Sequence, residues 1–193
     1  MLAYHPTADT ALSLGWRAGF TLTTDKNRTV TVRPGGAADG DLVWEMHRRL
    51  SNRTIWLRYG APKQLMPEAT LRAGMADMLG ADPRLSTTLV GTVVEGGALC
   101  AVSLAQIVHD PRDRTAAEVA IVVRDDYQRE GLGRRLSRLM RAVALARGVR
   151  AFHVHALAEN QAVVRLIRGL GVPYTVETRR GETTAIIPLQ YRQ

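Results

Sequence analysis

Residues 118–133 read EVAIVVRDDYQREGLG, and this stretch decides the fold. Val119 to Val123 is an apolar run that reads as a strand. Arg124, two acids and a tyrosine follow, and then Gln128-Arg129-Glu130-Gly131-Leu132-Gly133 opens an apolar-periodic segment reaching Arg147. A strand that feeds a glycine-bearing turn into a helix start makes an anion site. The first helical N–H groups have no partner within the helix, and the helix dipole favours negative charge there. Two glycines let a phosphate approach the backbone closely.

The nucleotide fingerprints do not fit. A P-loop needs Gly-Lys-Ser/Thr, and no lysine stands near. A dinucleotide-binding turn needs a third glycine where Leu136 stands. The spacing of Gln128, Gly131 and Gly133 instead matches Arg/Gln-x-x-Gly-x-Gly/Ala. In this it resembles the signature of the GNAT superfamily of acetyltransferases. Some thirty residues on, Glu159-Asn160 leads an apolar-periodic helix that ends at Gly169-Leu170-Gly171. That segment resembles the superfamily's second signature, Asn-x-x-Ala/Val-x-x-Leu-x-x-x-x-Gly.

Composition sets outer bounds. A chain of 193 residues, 46% apolar, is expected to be one soluble globular domain with a sizeable core. No apolar run approaches the roughly 18 residues of a membrane span. The start of the chain lacks the basic and apolar regions of a signal peptide. One cysteine, Cys100, excludes an intrachain disulfide framework and fits a reducing cytoplasm. No metal site is expected: His153 and His155 alternate on a strand and could supply two ligands at most. The net charge is +8, and nearly all the basic residues are arginine, which we read as the codon bias of a GC-rich bacterial genome. The surplus suits an anionic cofactor. A nucleic-acid role is disfavoured, because the chain shows no helix-turn-helix, aromatic-interleaved basic stretch or zinc module.

The pattern along the chain predicts an extension over residues 1–28, with a short hairpin from Phe20–Thr24 into Thr29–Arg33. Helices follow over 39–50 and 67–79, with a short helix or turn at 51–59 between them. Strands are expected at 86–95 and 98–108, joined by the hairpin signal Glu95-Gly96-Gly97. The charged loop 109–115 precedes the central strand 118–123 and the phosphate-facing helix 131–147. A strand at 151–157, a helix at 160–169 and a closing hairpin of 174–178 with 183–189 complete the order.

This mixed α/β order is similar to the GNAT fold: a mostly antiparallel central sheet, flanked by helices, with two central strands splayed apart. The likeness covers residues 29–190. Leu50-Ser51 through Arg58-Tyr59, Ala117-Glu118, and Arg124 through Gln128 resemble segments of the bacterial protein-lysine acetyltransferase branch. Some members of that branch carry a fused nucleotide-binding domain, for which this chain is expected to be too short.

The resemblance implies a function and a site. The expected activity is acetyl-CoA-dependent N-acetylation of a primary amine, a protein lysine in the first instance. Ile121 and Val123 would present backbone groups to the pantetheine arm. The turn and helix start, Gln128, Arg129, Glu130, Gly131, Leu132, Gly133 and Arg134, would cradle the pyrophosphate, with charge added by Arg135. Asn160 would bond the arm or the neighbouring backbone; read from the residues alone it is equally an N-cap.

A lysine amine of pKa near 10.4 is neutral in only about one molecule in several thousand at pH 7, so a base is needed. Glu118 is that candidate; the alternative is an exposed strand-end residue paired with Arg114. Asp125 and Asp126 are expected to face solvent or cap, since they would repel phosphate. The acid tyrosine common in the family falls here at Ile167 or Arg168, leaving Tyr174 or Tyr127 as substitutes. The Val123 amide is the expected oxyanion donor. Trp44, Trp56 and Tyr59 could line the acceptor side, but read first as core aromatics. Two other functions stay open: acetylation of a small amine, and non-catalytic acyl-CoA binding.

Overall fold

The computed structural model describes Trp16 and residues 18–190. Most of the expected extension, residues 1–15 and Arg17, lies outside the described residues. Eight strands form one sheet: β1 Phe20–Thr23, β2 Thr29–Pro34, β3 Ser86–Glu95, β4 Ala98–His109, β5 Ala116–Val123, β6 Ala151–Leu157, β7 Thr175–Arg179 and β8 Glu182–Pro188. Their order is β1-β2-β3-β4-β5-β6-β8-β7. The flanking helices are α1 Gly40–Arg48, α2 Asn52–Tyr59, α3 Glu68–Leu79, α4 Leu132–Ala146 and α5 Gln161–Gly169. This is the GNAT fold, with the sheet not closed into a barrel.

Residue patterning explains the layers. Leu132, Leu136, Met140, Val143 and Ala144 recur at helical spacing on α4 and are buried against Ala117, Val123, Phe152, Val154 and Ile187 of the sheet. Each such large apolar side chain, once buried, contributes roughly 1.5–3 kcal/mol. The opposite face packs Val90, Leu104 and Val122 against Val43, Trp44, Met46, Ile55, Met75 and Leu79 of α1, α2 and α3. Gly96 and Gly97 carry positive φ values of 57° and 81°, giving the tight β3–β4 hairpin the sequence signals.

Two placements differ from the sequence reading. The Phe20–Thr23 strand, expected within the extension, pairs with β2 and so joins the main sheet. Helix α4 starts at Leu132, because Gly131 at φ 73° is its N-cap rather than its first turn.

Every strand pairing is antiparallel except that of β5 with β6. That parallel pairing registers only Ala116–Glu118 against Ala151–His153. Both strands continue, β5 to Val123 and β6 to Leu157, without further rungs between them. The sheet therefore opens beyond Glu118.

Candidate active site

The opening is bordered by backbone. Ser103 pairs with Val123, and the Arg124 amide donates to the Val102 carbonyl at 2.8 Å. That places Val123 at a non-hydrogen-bonded rung. In antiparallel alternation, Glu118, Ala120 and Val122 then bond to β4, while Val119, Ile121 and Val123 turn their N–H and C=O groups away from it. No β6 rung faces them. Gln128 Nε2 takes up the Val123 carbonyl at 2.8 Å and also donates to Thr54 Oγ1 at 3.0 Å. The Gln128 side chain thus braces the end of β5, and the Val123 amide is left facing the opening.

The turn that follows is shaped for an anion. Arg129 and Gly131 both have positive φ, 59° and 73°. A Cβ built on Gly131 would lie 2.3 Å from Arg135 Nη1 and 2.5 Å from Asp25 Oδ2. Any other residue would be strained by that φ and would have to displace the ends of the Arg135 and Asp25 side chains. Gly133 has a different duty: its missing Cβ would meet Leu166 Cδ2 at 3.2 Å, so it lets α4 pack on α5. Leu132 is buried in the core. Glu130 is buried too and points away from the turn's outer surface. Arg28 grips it at 2.6 and 2.9 Å, with Lys26 at 3.0 Å. The Arg28 hydrogen bonds hold its carboxyl below the ordinary glutamate range. The side chains left near the helix start for an anion are Arg129, Arg134 and Arg135.

Glu118 lies at the last rung before the opening. The rung runs Val108, Glu118, His153, Ile186 across β4, β5, β6 and β8, with all four side chains on one face of the sheet. Glu118 is exposed and has no ion pair among the described residues. Arg114 instead donates to the Arg84 carbonyl at 3.2 Å. Val108 and Ile186 are exposed at 37% and 48%, so the catalytic candidate sits on an open, partly apolar surface. A narrow cleft on the same face of the sheet, lined by Arg58, Met78, Leu104, Gln106, Ala120 and Val122, has about 10 Å³ of room. A larger cavity of about 250 Å³ lies between α1 and α3 against Trp44, His47, Lys63, Met66 and Leu71, and shares no lining residue with that cleft.

The remaining sequence candidates make bonds within the fold. Asn160 Oδ1 accepts from the Val163 amide at 3.3 Å and caps α5. Asp125 accepts from the Ser51 amide, Ser51 Oγ and Thr54 Oγ1 at 2.9, 2.6 and 2.7 Å. Asp126 pairs with buried Arg124 at 2.7 Å. Tyr127 donates its hydroxyl to Glu95 at 3.0 Å, which removes it as a stand-in for the missing acid. Ile167 is core. Trp44 is buried and stacks on His47 at 5.5 Å, while Trp56 Nε1 donates to Glu159. Sequence reasoning missed the braces Thr54, Lys26 and Arg28. They lie about 70 to 100 residues from the turn they hold, and no local pattern marks them.

The profile of the Acetyltransferase (GNAT) family matches residues 53–172. Acetyltransferase Pat of Mycolicibacterium smegmatis is 32% identical over 88 residues, which is 46% of this chain and 26% of that protein. The chain thus spans about a quarter of the length of that curated relative. The GNAT domain of S. lividans PAT superposes with a TM-score of 0.75 at 20% identity, covering 89% of this chain and 97% of that one. A Salmonella typhimurium acetyltransferase, solved with its cofactor acetyl-CoA, superposes with a TM-score of 0.58 at 19% identity over 84% of this chain and 95% of that one.

Proposed function

The chain belongs to the acetyltransferase (GNAT) family, and from that premise we propose that it moves the acetyl group of acetyl-CoA onto the side-chain amine of a protein lysine. The working unit is residues 29–190, braced by the β1–β2 turn. The chain's one cysteine, Cys100, is a free thiol and suits a reducing bacterial cytoplasm.

The residues divide the chemistry as follows. The free edge formed by Val119, Ile121 and Val123 receives the pantetheine arm as an added strand, using main-chain bonds. The α4 amides, with Arg129, Arg134 and Arg135, hold the pyrophosphate. Glu118 takes the proton of the incoming ammonium, directly or through a water. The freed amine attacks the thioester carbonyl, and the Val123 amide stabilises the oxyanion. Collapse breaks the C–S bond and forms the amide. The sulfur leaves as a thiolate without a dedicated acid, and, its thiol having a pKa of about 8.5, it takes the second proton from the amine nitrogen so that the products are the neutral amide and CoA.

The observation that carries the lysine reading is the open rung around Glu118. Glu118 is exposed there, and the flanking Val108 and Ile186 suit a folded or extended protein surface. The test is acetyl transfer to folded proteins bearing exposed lysines, beside a panel of polyamines, amino acids and aminoglycosides, for the parent and Glu118→Gln. We expect transfer to protein lysines, with Glu118→Gln losing about 10²–10⁴-fold in rate and keeping its acetyl-CoA affinity. Faster turnover of a small amine would overturn the lysine assignment. Acetyl-CoA binding without transfer to any acceptor would make the protein a non-catalytic binder.

A further inference from the structure

The β1–β2 turn reaches over the α4 N-terminus and brings an acid with it. Asp25 Oδ1 lies 2.8 Å from Arg135 Nη1 and 3.6 Å from Arg134 Nη2. Asp25 Oδ2 stands 2.5 Å from the place a Gly131 Cβ would occupy. The carboxylate therefore sits on the helix start and draws on two of the arginines that would serve a pyrophosphate. We propose that Asp25 is an internal anion that competes with the diphosphate of the acyl donor and so sets the affinity of the cofactor site. This rests on the reading that acyl-CoA uses the α4 cradle.

The backbone around Asp25 is fixed, while its side chain is held by ion pairs alone. The Asp25 amide donates to the Glu130 carbonyl at 2.8 Å. Lys26 and Arg28 pair with Glu130, and Arg28 also lies over the Tyr127 ring at 3.4 Å. The Asp25 carboxylate itself is half exposed and is held by Arg134 and Arg135. Rotation about its side-chain bonds can therefore free the cradle without moving the hairpin. A carboxylate there satisfies the helix dipole and neutralises part of the arginine charge while no phosphate is present. A diphosphate carries more charge and more acceptor oxygens, so it displaces the carboxylate at a cost in affinity.

The test is calorimetric titration of the full chain and of Asp25→Asn with acetyl-CoA, and with S-acetylpantetheine, which lacks the diphosphate. Asparagine keeps the shape of the turn and removes the charge. We expect Asp25→Asn to bind acetyl-CoA about tenfold more tightly, to bind S-acetylpantetheine as the parent does, and to lose most of its advantage at high salt. Unchanged or weaker acetyl-CoA binding by a folded Asp25→Asn would overturn the proposal, the weaker case showing that Asp25 positions the arginines instead. Tighter binding of both ligands would also overturn it, since the gain would not belong to the diphosphate. Failure of the parent and the variant alike to bind acetyl-CoA would instead overturn the cofactor assignment beneath it.

Discussion

Individual side chains show how burial and charge are traded in this fold. His47 is 2% exposed, stacks on Trp44, and has no hydrogen-bond partner for either ring nitrogen. Burial, helped by the Lys63 charge, pushes its pKa down, so the ring stays neutral in the folded protein. In the unfolded chain it titrates near 6.5. Above that value its contribution to stability is fully present. As pH falls below it, the unfolded state gains protons that the folded state refuses, and stability falls by at most about 1.4 kcal/mol per pH unit until the folded pKa is reached. The arginine-paired carboxylates Asp39, Glu95 and Asp126 have lowered pKa values and stay ionised over this window. His47→Phe keeps a ring on Trp44 and should lose less of its Tm between pH 8 and pH 5 than the parent does. Equal losses would remove His47 as a source of acid sensitivity.

At the scale of elements, the β5–α4 connection is a joint that other elements hold. Asp125, just past β5, braces Ser51, the N-cap of α2. Burial raises its pKa, but the Ser51 and Thr54 hydrogen bonds outweigh this and hold it low. Asp125→Ala removes three accepted hydrogen bonds and should cost about 1–2 kcal/mol. Thermal unfolding should register a Tm drop of roughly 3–6 °C. The two turn glycines separate cleanly by substitution. Gly131→Ala is strained at φ 73° and pushes the Arg135 guanidinium out of the cradle, so acetyl-CoA affinity should fall by about tenfold, or 1.4 kcal/mol. Gly133→Ala asks only a Leu166 methyl to give way, and its affinity should stay within about threefold of the parent. Titration of the two variants side by side decides this, and equal losses would refute the division of labour.

For the molecule as a whole, the splay of β5 from β6 leaves a seam that a ligand can bridge, so binding should stabilise the native state. At a ligand concentration 100 times Kd the gain is about 2.7 kcal/mol, which corresponds to a Tm rise of roughly 5–10 °C for a chain of this size. Differential scanning fluorimetry with acetyl-CoA checks it, and an unchanged Tm at millimolar ligand would speak against the seam as the binding place. No helix among the described residues is long and apolar enough to cross a membrane. By itself the sequence determined the elements whose signals are local. These include the apolar run of β5, the glycine-bearing turn with its helix and the double-glycine hairpin, because strand period and φ requirement are set within a few residues. It also read Asp125 and Asp126 as capping or solvent-facing acids, and they bond Ser51, Thr54 and Arg124. Only the tertiary structure decided which backbone groups of β5 stay free, since that depends on the register with β4 and on where β6 parts company. Only it decided that Glu130 faces Arg28, that Gly133 serves Leu166, and that Asp25 rests on Arg135. Those contacts join residues far apart along the chain, where no local pattern constrains the pairing and the packing of the whole sheet fixes it.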